Sequence, residues 1–200
     1  MGGCFRKTLS RQHMMKETRQ NKPPEAAYEV QPLRPEDIEK YRQLRLRGLE
    51  QHPEAFGETA EHFKEVPSVQ IVNRLQSSQK LGGFILIAKN SGDEFVGTVG
   101  LAVSDAEKMS HRGTLWGMYV APAARGTGLG RRLVEECLSR TLKLPLLELI
   151  TLSVVTTNEA AFNLYKALGF RVYGTDPSVL KIGERYFDEY LMVKSLRDNK

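Results

Sequence analysis

In this 200-residue chain, Arg125-Gly126-Thr127-Gly128-Leu129-Gly130 is the stretch whose residue types and spacing point most directly to chemistry. An apolar run from Leu115 to Val120 leads into it, Pro122 stops that run, and a helical pattern begins at Leu129. Strand, glycine-rich loop and helix in that order present backbone N–H groups at a helix N-terminus with no Cβ in the way, which is a site for phosphate. Arg125, Arg131 and Arg132 supply positive charge beside it. No Gly-Lys-Ser/Thr follows, and three residues after Gly128 stands Arg131 rather than glycine. Both departures weaken the ATP-loop and dinucleotide readings and leave a short pyrophosphate cradle.

The elements around the loop follow from periodicity. Tyr28 to Leu33 alternates as a short strand, with Pro32 marking an edge. Arg34-Pro35-Glu36-Asp37 opens a helix with Ile38, Tyr41, Leu44 and Leu49 on its apolar face, ending near Gln51-His52-Pro53. A weaker helical zone covers 54–79, split by Pro67. The charges Arg45, Arg47, Glu58 and Glu61 in these helices rim a cleft or, on the simpler reading, form a solvated surface. Three antiparallel strands are expected next: Phe84 to Ala88, Glu94 to Val103 and Gly113 to Val120. Gly117 inside the third marks either a bulge that splays the strand from its neighbour or a steric gap under Trp116.

After the loop, Leu129, Leu133, Cys137 and Thr141 form a buried helical stripe, so Cys137 reads as a structural thiol. Leu146 to Val155 reads as a strand buried on both faces. Thr156 to Glu159 has capping-box spacing, and Ala161, Leu164, Tyr165 and Leu168 share one helical face that Gly169 ends. Phe170 to Tyr173 and Glu184 to Val193 complete a mixed, mostly antiparallel α/β sheet of order β-α-α-β-β-β-α-β-α-β-β in one domain, residues 28–200.

Composition bounds the partners. Residues 1–27 hold six of the 29 Lys and Arg residues but two of the 24 Asp and Glu residues, so the body is nearly neutral and the pI of 9.2 belongs mostly to this segment. A nucleic-acid-binding body is not expected, nor a membrane span. The segment reads as a mobile basic arm or as residues preceding a start at Met14 or Met15. Met1-Gly2-Gly3-Cys4 lacks the Ser or Thr at position 6 that myristoylation prefers. Two cysteines without a disulfide framework fit a reducing cytoplasm. His13, His52, His62 and His111 have no ligand spacing, and no metal is expected.

Val120-x-Pro122-x-x-Arg125-Gly126-x-Gly128-x-Gly130 resembles the acetyl-CoA-binding motif of the GNAT superfamily of N-acetyltransferases, and Asn158-x-x-Ala161-x-x-Leu164-Tyr165-x-x-x-Gly169-Phe170 resembles its second signature. The resemblance covers about residues 28–195. It implies that Arg125, Gly126, Thr127, Gly128, Leu129, Gly130 and Arg131 hold the CoA pyrophosphate. The pantetheine arm would pair with the backbone of Met118, Tyr119 and Val120, and the N–H of Tyr119 or Val120 would polarise the thioester carbonyl. Asn158 would reach the cofactor arm or serve as a helix cap. Tyr165 would donate a proton to the departing thiolate, or be a core tyrosine.

No carboxylate or histidine lies on Thr114 to Val120, so the base that frees the amine is unassigned, with Glu94, Glu148, His111 and water as candidates. The resemblance implies an acetyl-CoA-dependent transfer to a primary amine, small-molecule or protein-borne, by direct attack; a homodimer is a further expectation. A non-catalytic acyl-CoA-binding module and an adaptor using the basic arm are the alternatives. Acceptor choice would lie in residues 34–79, 104–112 and 174–183, where Glu58, Glu61, Glu65, Asp105 and Glu107 could face a cation.

Overall fold

The computed structural model describes residues 28–197. The expected basic arm and Cys4 lie outside them. In chain order the elements are β1 (Glu29–Pro32), α1 (Ile38–Gln51), α2 (Ala60–Glu65), α3 (Ser68–Lys80), β2 (Phe84–Lys89), β3 (Phe95–Val103), β4 (Arg112–Val120), α4 (Leu129–Thr141), β5 (Leu149–Val155), α5 (Glu159–Ala167), β6 (Arg171–Ile182) and β7 (Arg185–Ser195). The mixed α/β order expected from periodicity holds, with the weak helical zone resolved into α2 and α3 on either side of Pro67. The strands form one sheet, β1-β2-β3-β4-β5-β7-β6, in which only the β4–β5 pair is parallel. Pro32 sits on the edge strand β1, where its missing N–H costs no ladder bond.

Helices cover both faces. Gly97 of β3 lies against Leu129 and Leu133 of α4. The next residue, Thr98, pairs with Tyr119, whose ring carries Gly48 of α1. Successive strand residues face opposite ways, so α1 and α4 lie on opposite sides of the sheet. The α4 stripe of Leu129, Leu133, Val134, Cys137 and Thr141 is buried as its spacing requires. Burial pushes the Cys137 thiol up to about 12, which suits a packed structural group rather than a nucleophile.

Two segments depart from the sequence reading. The strand expected to start at Leu146 begins at Leu149, and Leu146 itself is 68% exposed. The backbone turns before it, with Leu147 N–H donating to the Leu144 carbonyl. The segment from Gly174 to Gly183, expected as a loop, is the body of β6. It pairs with β7 across a turn at Gly183, and a register shift between Asp176 and Leu180 accommodates Ser178 at φ 54°. Ser178 N–H donates to Asp188 Oδ1 at 2.8 Å, which fixes the irregular stretch to its partner strand.

Candidate active site at the split between β4 and β5

The sheet opens at its centre. β4 pairs with β5 only from Arg112 to Thr114, against Leu149 to Thr151. Beyond that point Leu115 to Val120 and Leu152 to Val155 share no ladder, while β5 continues alongside β7 to Val155. The cause is on the other side of β4. Trp116 opposes Gly100 and Tyr119 opposes Thr98, so Gly117 and Met118 together face the single residue Val99. Gly117 takes φ +64°, a conformation that penalises side chains, and bends the strand there. The bulge reading of Gly117 therefore holds. The steric gap under Trp116 is provided by Gly100, where a Cβ would stand 2.4 Å from the indole.

The glycine-rich loop lies at the end of the split. Gly126 has φ 71° and Gly128, the N-cap of α4, has φ 87°. No side chain caps α4 and no acid occupies its first turn, so its leading N–H groups keep their donor capacity and its positive end is not neutralised. Thr127 Oγ1 donates to the Ala124 carbonyl at 2.8 Å and holds the loop closed on itself. A Cβ at Gly130 would stand 3.3 Å from Met118 Cε, so glycine there keeps α4 close to β4. This cradle of unprotected donors beside an open strand fits a pyrophosphate with an extended arm.

A cleft of about 450 Å³ runs along these parts and is lined by Met118, Tyr119, Val120, Arg125, Gly126, Gly130 and Asn158 among others. The other expected contacts stand differently. Leu129 is fully buried under the helix start. Arg131 turns along α4 to pair with Glu135 at 2.8 Å. The Tyr119 side chain points to the α1 face, where its hydroxyl donates to Gln51 Oε1 at 2.9 Å. Arg125 is anchored: Nε donates to the Val120 carbonyl at 2.9 Å and Nη2 lies 2.7 Å from His52 Nε2. A guanidinium has no acceptor, so His52 Nε2 accepts and Nδ1 carries the hydrogen toward Glu54 Oε1, 3.4 Å away.

Asn158 is the N-cap of α5, its Oδ1 accepting from Ala161 N–H at 3.1 Å. The capping box expected from Thr156 is therefore replaced by an Asn cap two residues later. The cap uses Oδ1 and does not engage the amide N–H donors of this cleft-lining residue. Tyr165 is 5% exposed, packs edge-on against Phe170 at 5.8 Å, and lines an inner pocket of about 90 Å³ with Phe56, Trp116, Gly117, Met118 and Ser153. Burial raises its pKa, with the neighbouring Cys137 adding to the shift, so the phenol keeps its proton.

None of the side-chain base candidates lines the cleft or the inner pocket. Glu94 pairs with Arg47, Glu148 pairs with Arg197, and His111 lines a groove at the opposite end of β4. The structure adds residues that no motif marked: His52, Glu54, Ala55 and Phe56, from the single-turn helix Pro53–Ala55 that follows α1, close one wall of the cleft. His52-Pro53 signalled only a helix end in sequence. Among the described residues no three His, Cys, Asp or Glu side chains gather as a metal site, and no helix is long and apolar enough to cross a membrane.

The arrangement matches solved proteins. An acetyltransferase of the GNAT family from Streptococcus pneumoniae is 24% identical, with 85% of this chain and 99% of that one covered and a TM-score of 0.74. A ribosomal-protein-alanine N-acetyltransferase from Brucella melitensis is 23% identical over 84% and 99%, with a TM-score of 0.72. A GNAT superfamily phosphinothricin acetyltransferase from Sinorhizobium meliloti, in complex with acetyl-CoA, is 16% identical over 85% and 89%, with a TM-score of 0.74. These likenesses carry the fold. The model of the Acetyltransferase (GNAT) family matches residues 44–170, from α1 through the bulged strand, the glycine loop and the Asn158–Phe170 segment; the chain belongs to the Acetyltransferase (GNAT) family.

Proposed function

We infer that this acetyl-CoA-dependent N-acetyltransferase transfers the acetyl group by direct attack of a primary amine on the thioester, with no covalent enzyme intermediate. The split between β4 and β5 carries the reading, because it opens a strand edge beside an uncapped helix N-terminus. Gly126 to Arg131 hold the pyrophosphate on backbone N–H groups, and Arg125 stiffens the loop through Val120 and His52. The backbone of Met118, Tyr119 and Val120 pairs with the pantetheine arm as an added strand would. An N–H of Tyr119 or Val120 stabilises the oxyanion that develops on the thioester carbonyl. Asn158 adds its amide donors to the arm.

Tyr165 lines the inner pocket beside the bulge and protonates the departing thiolate. Its pKa, raised by burial, keeps it in the acid form, and a thiolate withdrawn from water beside it is a correspondingly stronger base. Glu94, Glu148 and His111 line neither cavity, so the proton leaves the ammonium through water or through His52 and Glu54 on the cleft wall. Cys137 takes no part, being buried on the α4 stripe. A buried free thiol as the one cysteine among the described residues favours a reducing, cytoplasmic setting.

The test is release of free CoA thiol from acetyl-CoA by the purified protein over a panel of amines. Release with a primary amine, and an acetylated product by mass, is expected. Tight acetyl-CoA binding with no release for any amine would leave only an acyl-CoA-binding module.

A further inference from the structure

Arg45 sits on the inward face of α1 and is 7% exposed. Its guanidinium stacks on Phe56, with Cζ 4.5 Å from the ring centroid. Stacking uses the flat face of the group and leaves the in-plane N–H donors to find other partners. Nη2 lies 3.6 Å from Glu58 Oε2, an ion-pair distance longer than a hydrogen bond. Nη1 is buried and has no hydrogen-bond partner. An unsatisfied buried donor is costly, most of all a charged one, and invites an explanation in terms of a ligand.

The direction of that donor is informative. Nη1 lies 3.6 Å from the position a Cβ on Gly117 would take, so the bulge presents bare backbone to it. Trp116, the residue before the bulge, lines both the inner pocket of Tyr165 and a second cavity of about 120 Å³ between α1, α2, α3 and the sheet. That cavity is walled mainly by apolar side chains such as Phe63, Ile71 and Leu75. Its charged residues are Arg45, Arg74 and Glu58, an excess of one positive charge. This balance disfavours a polyamine and favours an acceptor with a negative group close to its amine.

We propose that Arg45 binds the carboxylate of the acceptor, and that the acceptor is a free α-amino acid with an apolar side chain. The carboxylate completes Nη1, the side chain enters the cavity beside Trp116, and the α-amine is directed to the split at Gly117 and Met118. The neutral amine nitrogen then forms the new bond to the acetyl carbon and the carbon–sulfur bond breaks; Tyr165 protonates the departing thiolate, and the proton that the acetylated nitrogen loses passes through water to restore the Tyr165 phenol. This assignment rests on the acetyltransfer reading for the place of the reacting amine, but the carboxylate site itself does not.

The experiment uses the full chain and three matched sets: leucine, methionine and phenylalanine, each with its amide and its decarboxylated amine. Free-thiol release is measured with acetyl-CoA. In parallel, saturation-transfer NMR measures binding of the same probes to CoA-loaded protein. At least one acid is expected to exceed its amide and amine by about 10- to 100-fold in kcat/KM, the range for a lost hydrogen bond to a charged group. Arg45→Gln is expected to raise KM more than it lowers kcat and to erase the acid-over-amide preference, with Arg45→Lys intermediate. Amides or amines used as well as the acids, or no acid binding by NMR, overturns the carboxylate assignment, and the wild-type comparison decides this even if Arg45→Gln does not fold. Arg45-dependent binding of an acid with no thiol release overturns the acetyltransfer reading and leaves the carboxylate site standing.

Discussion

Tyr165 and Asn158 each hold a structural place in α5, and the chemical role proposed for each is separated from it by substitution. Tyr165→Phe keeps the edge-on contact with Phe170 and removes only the hydroxyl. We expect kcat to fall by about 100-fold, the lower range for a general acid, with acetyl-CoA affinity within about twofold of wild type by calorimetry. Unchanged turnover would remove Tyr165 from the mechanism. Asn158→Asp preserves an oxygen for the Ala161 N–H and replaces the amide donors with an acceptor. It should retain thermal stability while weakening acetyl-CoA binding, whereas Asn158→Ala should also lose about 1 kcal/mol of stability with the cap. If Asn158→Asp binds acetyl-CoA as wild type does, the side chain is a cap alone. The resemblance of the Asn158–Phe170 segment to the family's second signature pointed to both residues in sequence. Arg45 was not legible in this way, because a charge on a helical stripe reads as solvated until α1 is seen to press it against Phe56 and the Gly117 bulge.

The element that makes a site from these residues is β4 with the loop it feeds. Gly117 in sequence signalled either a bulge or a steric gap, and its φ of +64°, which few residues other than glycine hold inside a strand, decides for the bulge. What could not be read was the cause of space under Trp116, since Gly100 lies on a different strand and only the register brings them together. The misread of β6 has a related origin. Its twelve residues are almost all exposed and include Gly174 and Pro177, so no alternating apolar pattern marks it; its partner strand β7 and the Asp188 side chain impose the extended form. Leu146 was assigned to β5 for the opposite reason, an apolar residue placed in a turn where burial cannot be inferred from type alone. The loop itself offers the sharpest element-level test. Gly128 has φ 87° at the N-cap of α4, so Gly128→Ala strains the backbone by about 1–2 kcal/mol. Gly128→Glu adds a carboxylate where anionic phosphate must approach. Calorimetry should show several-fold weaker acetyl-CoA binding for Gly128→Ala and none measurable for Gly128→Glu, with far-UV circular dichroism retained in both; full affinity in Gly128→Glu would move the pyrophosphate elsewhere.

At the scale of the whole molecule, one core surrounds several acidic protons that folding has removed from water. Burial pushes Cys137 from its ordinary 9.0 to about 12 and Tyr41 from 10.0 to about 12, and raises Tyr165 as well. For Tyr41 the Arg45 cation opposes the shift and Glu58 adds to it, but burial dominates. Each folded-state pKa stands above its unfolded value, so below pH 9 both states hold these protons and stability is insensitive to the three groups. As pH rises past 9 the unfolded chain releases the Cys137 proton while the folded chain keeps it, and past 10 the two tyrosines join. Protons bound by the unfolded state then number fewer than those bound by the native state, and stability falls with rising pH. One fully shifted group contributes roughly 1.4 kcal/mol per pH unit in this window, which is large against a total of about 5–15 kcal/mol for a domain. Urea midpoints measured from pH 8 to pH 11 should be level to about pH 9 and then decline, more steeply above 10. Cys137→Ala removes the first of the three groups and leaves a cavity under α4. It should therefore start lower at pH 8 but run flatter between pH 9 and pH 10, and a Cys137→Ala curve parallel to wild type across that interval would show that the thiol's proton is not what the core protects.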